Sequence, residues 1–265
     1  MMPNILLEIL NSRKKSLAEQ LKLFQFLELD KLEYEKRRLS DAIKLNNDIS
    51  IISEIKLASP SEGDIRKNMN IPEIARTMEE SGAIGLSILT EPIYFNGSFL
   101  NLYLASKGTS IPCLMKDFVF SEEQFEVANI MGATNILLIN LLGNLEEMYE
   151  LSKKYNLEPL IEIHGITEIK DLEQLNEVGI DPPLIGVNNR NLKTLQIDLK
   201  TSEILIPEVK KLYDGNVSII AESGVNSFED IKYLQSCGAD AFLIGSSIMQ
   251  SDDIKQKILQ LRGIN

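Results

Sequence analysis

The sequence predicts an α/β protein, a (β/α)8 TIM barrel with an N-terminal helical extension, and three observations carry that expectation. Eight short apolar, β-branched runs alternate with amphipathic stretches at a spacing of roughly 25–35 residues, the period of a strand-and-helix unit. Several runs are apolar at nearly every position, as a strand buried on both faces must be. The chain has 265 residues, and a closed barrel of this kind typically needs about 250. An open doubly wound sheet is the alternative. It would usually carry a glycine-rich phosphate turn after its first strand, and Glu54-Ile55-Lys56-Leu57-Ala58-Ser59 is not one.

Residues 1–48 precede the repeat. They are rich in Leu, Lys and Glu, with apolar residues near helical spacing through Leu17, Leu21 and Phe24, then Leu27 and Leu29, and are expected to form helices packed on the barrel. The barrel is expected over 49–250, with strands in Ser50–Lys56, Gly85–Thr90, Pro112–Asp117, Asn135–Asn140, Pro159–Ile163, Leu184–Asn189, Ser218–Glu222 and Ala241–Ser246. Ser121 with Gln124, Asn144 with Glu147, and Ser227 with Asp230 have the spacing of helix-capping pairs, in which side chains satisfy orphan backbone N–H groups. Gly82, Gly132 and Gly238 each precede an alanine and the next strand, where a glycine can take the left-handed stop. A C-terminal helix is expected in 251–265. No linker, low-complexity tract or composition break intervenes, so 1–265 reads as one domain.

Composition narrows the function classes. Lys+Arg 27 against Asp+Glu 39 gives a net charge of -12, which argues against general binding to nucleic acid or anionic membrane, since both need clustered cations. A single histidine excludes any site needing two. Cys113 and Cys237 make neither a disulfide framework nor a zinc cage, so a reducing compartment is expected, with no metal. No apolar run approaches the ~20 residues that span a bilayer. The first residues lack a basic n-region and soon meet Glu8, so a cytoplasmic protein is expected.

Period two along each strand says which polar residues face inward. Alternate barrel residues face the interior, and the C-terminal strand ends carry the active site. The phases are Ile52, Glu54, Lys56; Leu114, Lys116, Phe118; Leu160, Glu162, His164; Gly186, Asn188, Arg190; Ile220, Glu222, Gly224; and Leu243, Gly245. Each begins small or apolar, and five of the six carry residues costly to bury without partners toward their C-terminal ends. Glu54, Lys56, Lys116, Glu162, Asn188, Arg190 and Glu222 are therefore expected around one mouth. Any one of these, taken singly, reads as a charged strand end. The set in one phase reads as a site for proton transfer, where opposite charges and partial burial tune lysine and glutamate.

A second constellation follows strands seven and eight. Glu222-Ser223-Gly224 and Ile244-Gly245-Ser246-Ser247 place small residues and hydroxyls before helices, the usual phosphate position in such barrels. Ser59, in Ser59-Pro60-Ser61 after strand one, could add a hydroxyl. Phe95 and Phe118, after strands two and three, are either packing or a wall for a flat ring. His164 reads as a satisfied strand-end histidine, and both cysteines as inert.

These residues fall into ordered motifs: Ser53-Glu54-Ile55-Lys56-Leu57-Ala58-Ser59-Pro60-Ser61; Leu89-Thr90-Glu91 with Tyr94-Phe95-Asn96-Gly97-Ser98; and Leu114-Met115-Lys116-Asp117-Phe118. Pro159-Leu160-Ile161-Glu162, Gly186-Val187-Asn188-Asn189-Arg190-Asn191-Leu192, Ala221-Glu222-Ser223-Gly224 and Phe242-Leu243-Ile244-Gly245-Ser246-Ser247 follow. Together they resemble indole-3-glycerol-phosphate synthase. The resemblance implies conversion of 1-(2-carboxyphenylamino)-1-deoxyribulose 5-phosphate into indole-3-glycerol phosphate, with loss of CO2 and water, without cofactor. It implies Lys116 as general acid, Lys56 with Arg190 on the departing carboxylate, and Glu54 paired with Lys56 and helping dehydration. Glu162 would be the other acid–base group, with Asn188 and Glu222 as orienting groups. The phosphate would lie on Ser59, Gly224, Gly245 and Ser246, the anthranilate ring between Phe95 and Phe118, and Leu192, Ser223 and Leu243 would complete the substrate-binding surface.

Leu57 departs from the pattern, because many members of that family carry a basic residue there. Period two points it away from the ring, so it is expected to alter the mobility of the loop after strand one. The rival readings are a phosphoribosylanthranilate isomerase-like barrel, a Schiff-base aldolase using Lys116, and a non-catalytic phosphate-binding barrel. The expected partner is a small phosphorylated substrate, and the chain is expected to be a monomer or weak homo-oligomer.

Overall fold

Eight parallel strands close on themselves in a computed structural model that describes residues 4–24, 29, 37–66 and 69–264. They are β1 (Ile51–Ile55), β2 (Gly85–Leu89), β3 (Cys113–Lys116), β4 (Asn135–Ile139), β5 (Glu158–Ile163), β6 (Leu184–Asn188), β7 (Ser218–Glu222) and β8 (Ala241–Ile244). Each pairs with the next in the chain, and β8 returns to β1 with Ile52 opposite Leu243. The closed sheet leaves no edge, and the open-sheet alternative is excluded.

The period-two split is visible in the two apolar layers. Ile52, Leu114, Leu137, Leu160, Leu184, Ile220 and Leu243 fill the barrel interior. Their neighbours Ile51, Ile55, Leu86, Ile88, Met115, Ile161, Val187, Ile219 and Phe242 belong to the outer layer between strands and helices. Burying each such side chain contributes about 1.5–3 kcal/mol, and both faces of every strand contribute.

The helices are α1 (Asn4–Phe24), α2 (Leu39–Leu45), α3 (Ile71–Glu80), α4 (Phe99–Gly108), α5 (Glu122–Ile130), α6 (Leu145–Lys154), α7 (Ile169–Glu177), α8 (Lys200–Leu212), α9 (Phe228–Ser236), α10 (Ser246–Met249) and α11 (Ile254–Leu261). The extension splits its tasks. In α2, Leu39 and Ile43 join the interior layer, and Leu39 sits against Gly85 at the start of β2. Asn135 Oδ1 accepts from Leu39 N at 3.3 Å and Glu158 Oε2 from Ser40 N at 3.0 Å, so β4 and β5 satisfy the orphan N–H groups of α2. Helix α2 therefore plugs the N-terminal end of the barrel. Helix α1 carries its buried face through Leu6, Ile9, Leu10, Arg13 and Leu17; Leu21 and Phe24 pack at its margin, and Leu27 lies outside the described residues.

Gly82, Gly132 and Gly238 stop α3, α5 and α9 in left-handed backbone. Asp230 and Ser227 form the reciprocal cap of α9, and Gln124 Oε1 accepts from Ser121 N before α5 at 3.3 Å. Asn144 is a correction. Its φ is +54 and its side chain makes no cap bond, because Gly143 and Asn144 both take positive φ to turn the chain out of β4. A left-handed residue cannot aim its side chain at the N–H groups of the next turn.

Candidate active site

Glu54, Lys116, Glu162, Asn188 and Glu222 stand at or near the C-terminal ends of β1, β3, β5, β6 and β7 and line one cavity with Lys56 and Arg190. The remaining strands give it apolar groups, Leu89, Leu137, Ile139 and Leu243. Ser59, Phe95, Phe118, Leu192, Ser223, Gly224, Gly245 and Ser246 line it as well, so all sixteen residues singled out as site candidates meet in one place.

Lys116 is the centre of charge. Its Nζ lies 2.6 Å from Glu222 Oε2 and 3.2 Å from Glu162 Oε2. Asn188 Nδ2 donates to the same Glu162 oxygen at 3.1 Å, and His164 Nε2 lies 3.1 Å from Glu162 Oε1. Burial opposes the Lys116 charge, but Glu222, Glu162 and Glu54 more than offset it and hold the amine well above its ordinary range. The two glutamates are driven apart. Burial pushes the Glu222 carboxyl up to about 8, whereas Glu162 is buried yet held ionised, with Lys116 and His164 outweighing the loss of water. At neutral pH the two acids therefore differ, Glu222 keeping a proton and Glu162 staying ionised.

Two glycines make the room. A Cβ on Gly186 would collide with Glu222 Oε1, and one on Gly245 with Glu54 Oε1. The small residues at the inward positions of β6 and after β8 are thus the space in which the neighbouring carboxylates lie.

The loop after β1 forms a short antiparallel pair, Ala58–Ser59 with Gly63–Asp64. At its tip Glu62 reaches back to the mouth. Lys56 Nζ donates to Ser246 Oγ at 2.7 Å, lies 3.5 Å from Glu54 Oε1 and 3.6 Å from Glu62 Oε2. Arg190 donates from Nη1 to Leu195 O at 3.1 Å and to Ser61 Oγ at 3.3 Å, so it faces the same loop. Leu57 is absent from the cavity wall; its carbonyl instead accepts from Ile65 N and Arg66 N at the base of the loop.

The opposite side is apolar. Phe95 and Phe118 lie with ring centroids 6.1 Å apart, and Ile5, Leu6 and Ile9 of α1 also line the cavity. Glu91 Oε2 accepts from Tyr94 N at 2.6 Å and Phe95 N at 3.1 Å, which fixes the turn that presents Phe95.

A family model described as indole-3-glycerol phosphate synthase matches residues 6–261. The chain belongs to the indole-3-glycerol phosphate synthase family. Proteins named indole-3-glycerol phosphate synthase are 42% identical in Methanocaldococcus jannaschii, over 93% of this chain and 91% of the relative, and 39% identical in Nautilia profundicola, over 98% of both. A mutant tryptophan synthase alpha-subunit from Pyrococcus furiosus shares the fold alone, with TM-score 0.63 at 15% identity over 82% of this chain and 99% of that one. Membership in the synthase family makes the chain a decarboxylating, ring-closing lyase of tryptophan biosynthesis. Its substrate class is a small phosphorylated molecule.

The rivals fit the synthase site poorly. An isomerase-like barrel would end its first strand on a catalytic cysteine, but Cys113 and Cys237 both lie off the cavity wall. A Schiff-base lysine must be neutral to attack a carbonyl, and Lys116 is held more firmly protonated than an ordinary lysine. Sequence reasoning missed Glu62, Glu91, and the pair Arg13–Asp117, and it undervalued His164. Only His164 left a usable signal, its shared phase with Glu162. Among the described residues no helix is long and apolar enough to cross a membrane.

Proposed function

We propose that the cavity closes the indole ring of 1-(2-carboxyphenylamino)-1-deoxyribulose 5-phosphate with Lys116 as the general acid. One observation carries this reading: the Lys116 ammonium, held between Glu162 and Glu222, lines the same cavity as the Phe95–Phe118 wall. The anthranilate ring lies along that wall, and the phosphate lies at Ser59, Ser246 and the Gly224 and Gly245 turns. Leu192, Ser223 and Leu243 line the space between.

The ring carbon bearing the carboxylate attacks the ketone carbon. A carbon–carbon bond forms, the carbonyl electron pair moves to oxygen, and that oxygen takes a proton from Lys116. The bond to the carboxylate then breaks, its electron pair restores the aromatic ring, and CO2 leaves past Lys56 and Arg190. Dehydration follows, in which the new hydroxyl departs as water and a proton leaves the adjacent carbon. Glu162 is ionised while Lys116 is charged; once Lys116 has given its proton to the ketone oxygen, Glu162 takes one from solvent and passes it to the departing hydroxyl, which leaves as water. Glu54 sits beside Lys56 as the base for the carbon-bound proton, and Asn188 and Glu222 hold Glu162 and Lys116 in register.

Amines and carboxylates suffice for every proton transfer here, which supports a reaction without metal or cofactor. We further infer a cytoplasmic monomer or weak homo-oligomer that does not engage nucleic acid, in keeping with the -12 net charge. The purified chain, given the carboxyphenylamino substrate alone, is expected to form indole-3-glycerol phosphate. The chain has no Trp, so indole emission reports product directly. A folded protein that binds the substrate and releases no product would overturn the assignment.

A further inference from the structure

The anion-binding hydroxyls and cations of the mouth already hold an anion, and it belongs to the chain itself. Glu62 Oε2 accepts from Ser246 Oγ at 2.7 Å and Ser59 Oγ at 3.0 Å, with Lys56 Nζ 3.6 Å away. Glu62 Oε1 accepts from Gln250 Nε2 at 3.1 Å. The backbone N–H of Glu62 turns back onto Ser59 Oγ at 3.2 Å, so the tip of the loop is folded over the subsite. The side chain is 25% exposed, which leaves it a way out into solvent. Its carboxyl is held below the ordinary range: partial burial opposes ionisation, but Ser246, Lys56, Ser59 and Arg190 outweigh it. Glu62 is therefore an anion at neutral pH.

We infer that Glu62 is an internal stand-in for the substrate phosphate, occupying the Ser59–Ser246–Lys56 subsite in the free enzyme and setting affinity for the phosphate end of the substrate. The inference rests on the placement of the phosphate at Ser59 and Ser246. A carboxylate offers two oxygens where a phosphate offers three, and it carries less charge. The substrate therefore displaces it by making more contacts to the same donors. When it leaves, Glu62 gives up four side-chain partners and the tip of the loop loses its hold on α10. Entry of the phosphate and opening of the loop thus become one event. Anions that lack the rest of the substrate, inorganic phosphate among them, meet the same competitor without the compensating contacts, so the device raises selectivity for the complete molecule.

The test is titration calorimetry of inorganic phosphate into the full chain and into Glu62→Gln and Glu62→Ala, with kcat and KM for the substrate measured on all three. Apparent affinity falls in proportion to the fraction of molecules whose subsite is free, so a carboxylate present about nine-tenths of the time weakens phosphate about tenfold. Both variants are expected to bind inorganic phosphate about tenfold more tightly than the parent and to show a lower KM. Gln keeps the size of the side chain, and thermal melts at parental temperature exclude a folding defect. Equal phosphate affinity in all three proteins, with phosphate still competing against substrate, would overturn the role of Glu62 and leave the phosphate placement standing. A raised KM in both variants would also overturn it, since that is the mark of a residue that merely braces the loop. Phosphate that neither binds nor competes in any of the three, while turnover is normal, would remove the phosphate placement and this inference together.

Discussion

Lys116 shows how far single residues can be read from the sequence. Period two puts it on the inner face of β3 with Glu162 and Glu222 on theirs, and the structure gives contacts of 3.2 and 2.6 Å. Replacing Lys116 by Ala removes the acid and leaves two buried carboxylates facing each other. A positioned acid typically contributes ~10²–10⁴-fold, so kcat is expected to fall by at least that range while circular dichroism stays parental; a near-normal rate would refute its role. Gly186 supplies a more delicate test. A methyl group there collides with the far end of Glu222, which can swing aside but only by leaving Lys116. Misplacing a catalytic contact by about 1 Å can cost ~10²-fold, so Gly186→Ala is expected to lower kcat steeply with a small change in melting temperature. What the period could not supply is which carboxylate keeps its proton. That depends on burial depth and on His164 behind Glu162, and neither is written in the alternation of a single strand.

At the scale of elements, α1 is joined to the mouth by a charge where its apolar spacing calls for a hydrophobe. Arg13 is fully buried on the face that carries Ile9, Leu10 and Leu17, and it meets Asp117, the residue after Lys116, through two bonds of 2.8 Å. Thr90 Oγ1 donates to the same carboxylate at 2.6 Å, which ties the end of β2 into the network. Removing one partner of a buried ion pair strands the other, at a cost of about 3–5 kcal/mol. Arg13→Met is accordingly expected to melt early and to raise KM, because Ile5, Leu6 and Ile9 of the cavity wall come from the same helix. The double replacement Arg13→Met, Asp117→Leu removes both charges and should recover much of the stability. A double variant no more stable than the single one would contradict this account. The helical face was legible through Leu17, Leu21 and Phe24, but the Arg13–Asp117 pair spans 104 residues and no local pattern announces it. The Asn144 cap failed for the opposite reason, since the spacing was right and the backbone there turns left-handed.

Across the whole molecule the two ends of the barrel have different tasks. The N-terminal end is closed by α2, whose Leu39 and Ile43 continue the interior layer, so it can hold the fold while the C-terminal end keeps Glu54, Lys56, Lys116, Glu162 and Glu222 with 10% or less of most side chains exposed, and 15% for Lys116. Concentrating ionisable groups in this way makes stability depend on pH, and Glu222 sets the direction. Folded, its carboxyl holds a proton up to about 8, against an ordinary value of 4.5. The folded chain therefore binds more protons than the unfolded chain across that window, and Glu222 makes it lose stability as pH rises from about 4.5 to 8. Glu162 acts oppositely: its lowered carboxyl adds stability that is present above the ordinary carboxylate value and is lost as pH falls below it. Glu222→Gln keeps the shape and removes the first effect alone. The melting temperature of Glu222→Gln minus that of the parent is expected to widen steadily between pH 5 and about 8 and then level off, even as turnover drops. A difference that stays constant across that range would mean that Glu222 is ionised throughout, and the division of protonation between the two glutamates would have to be reversed.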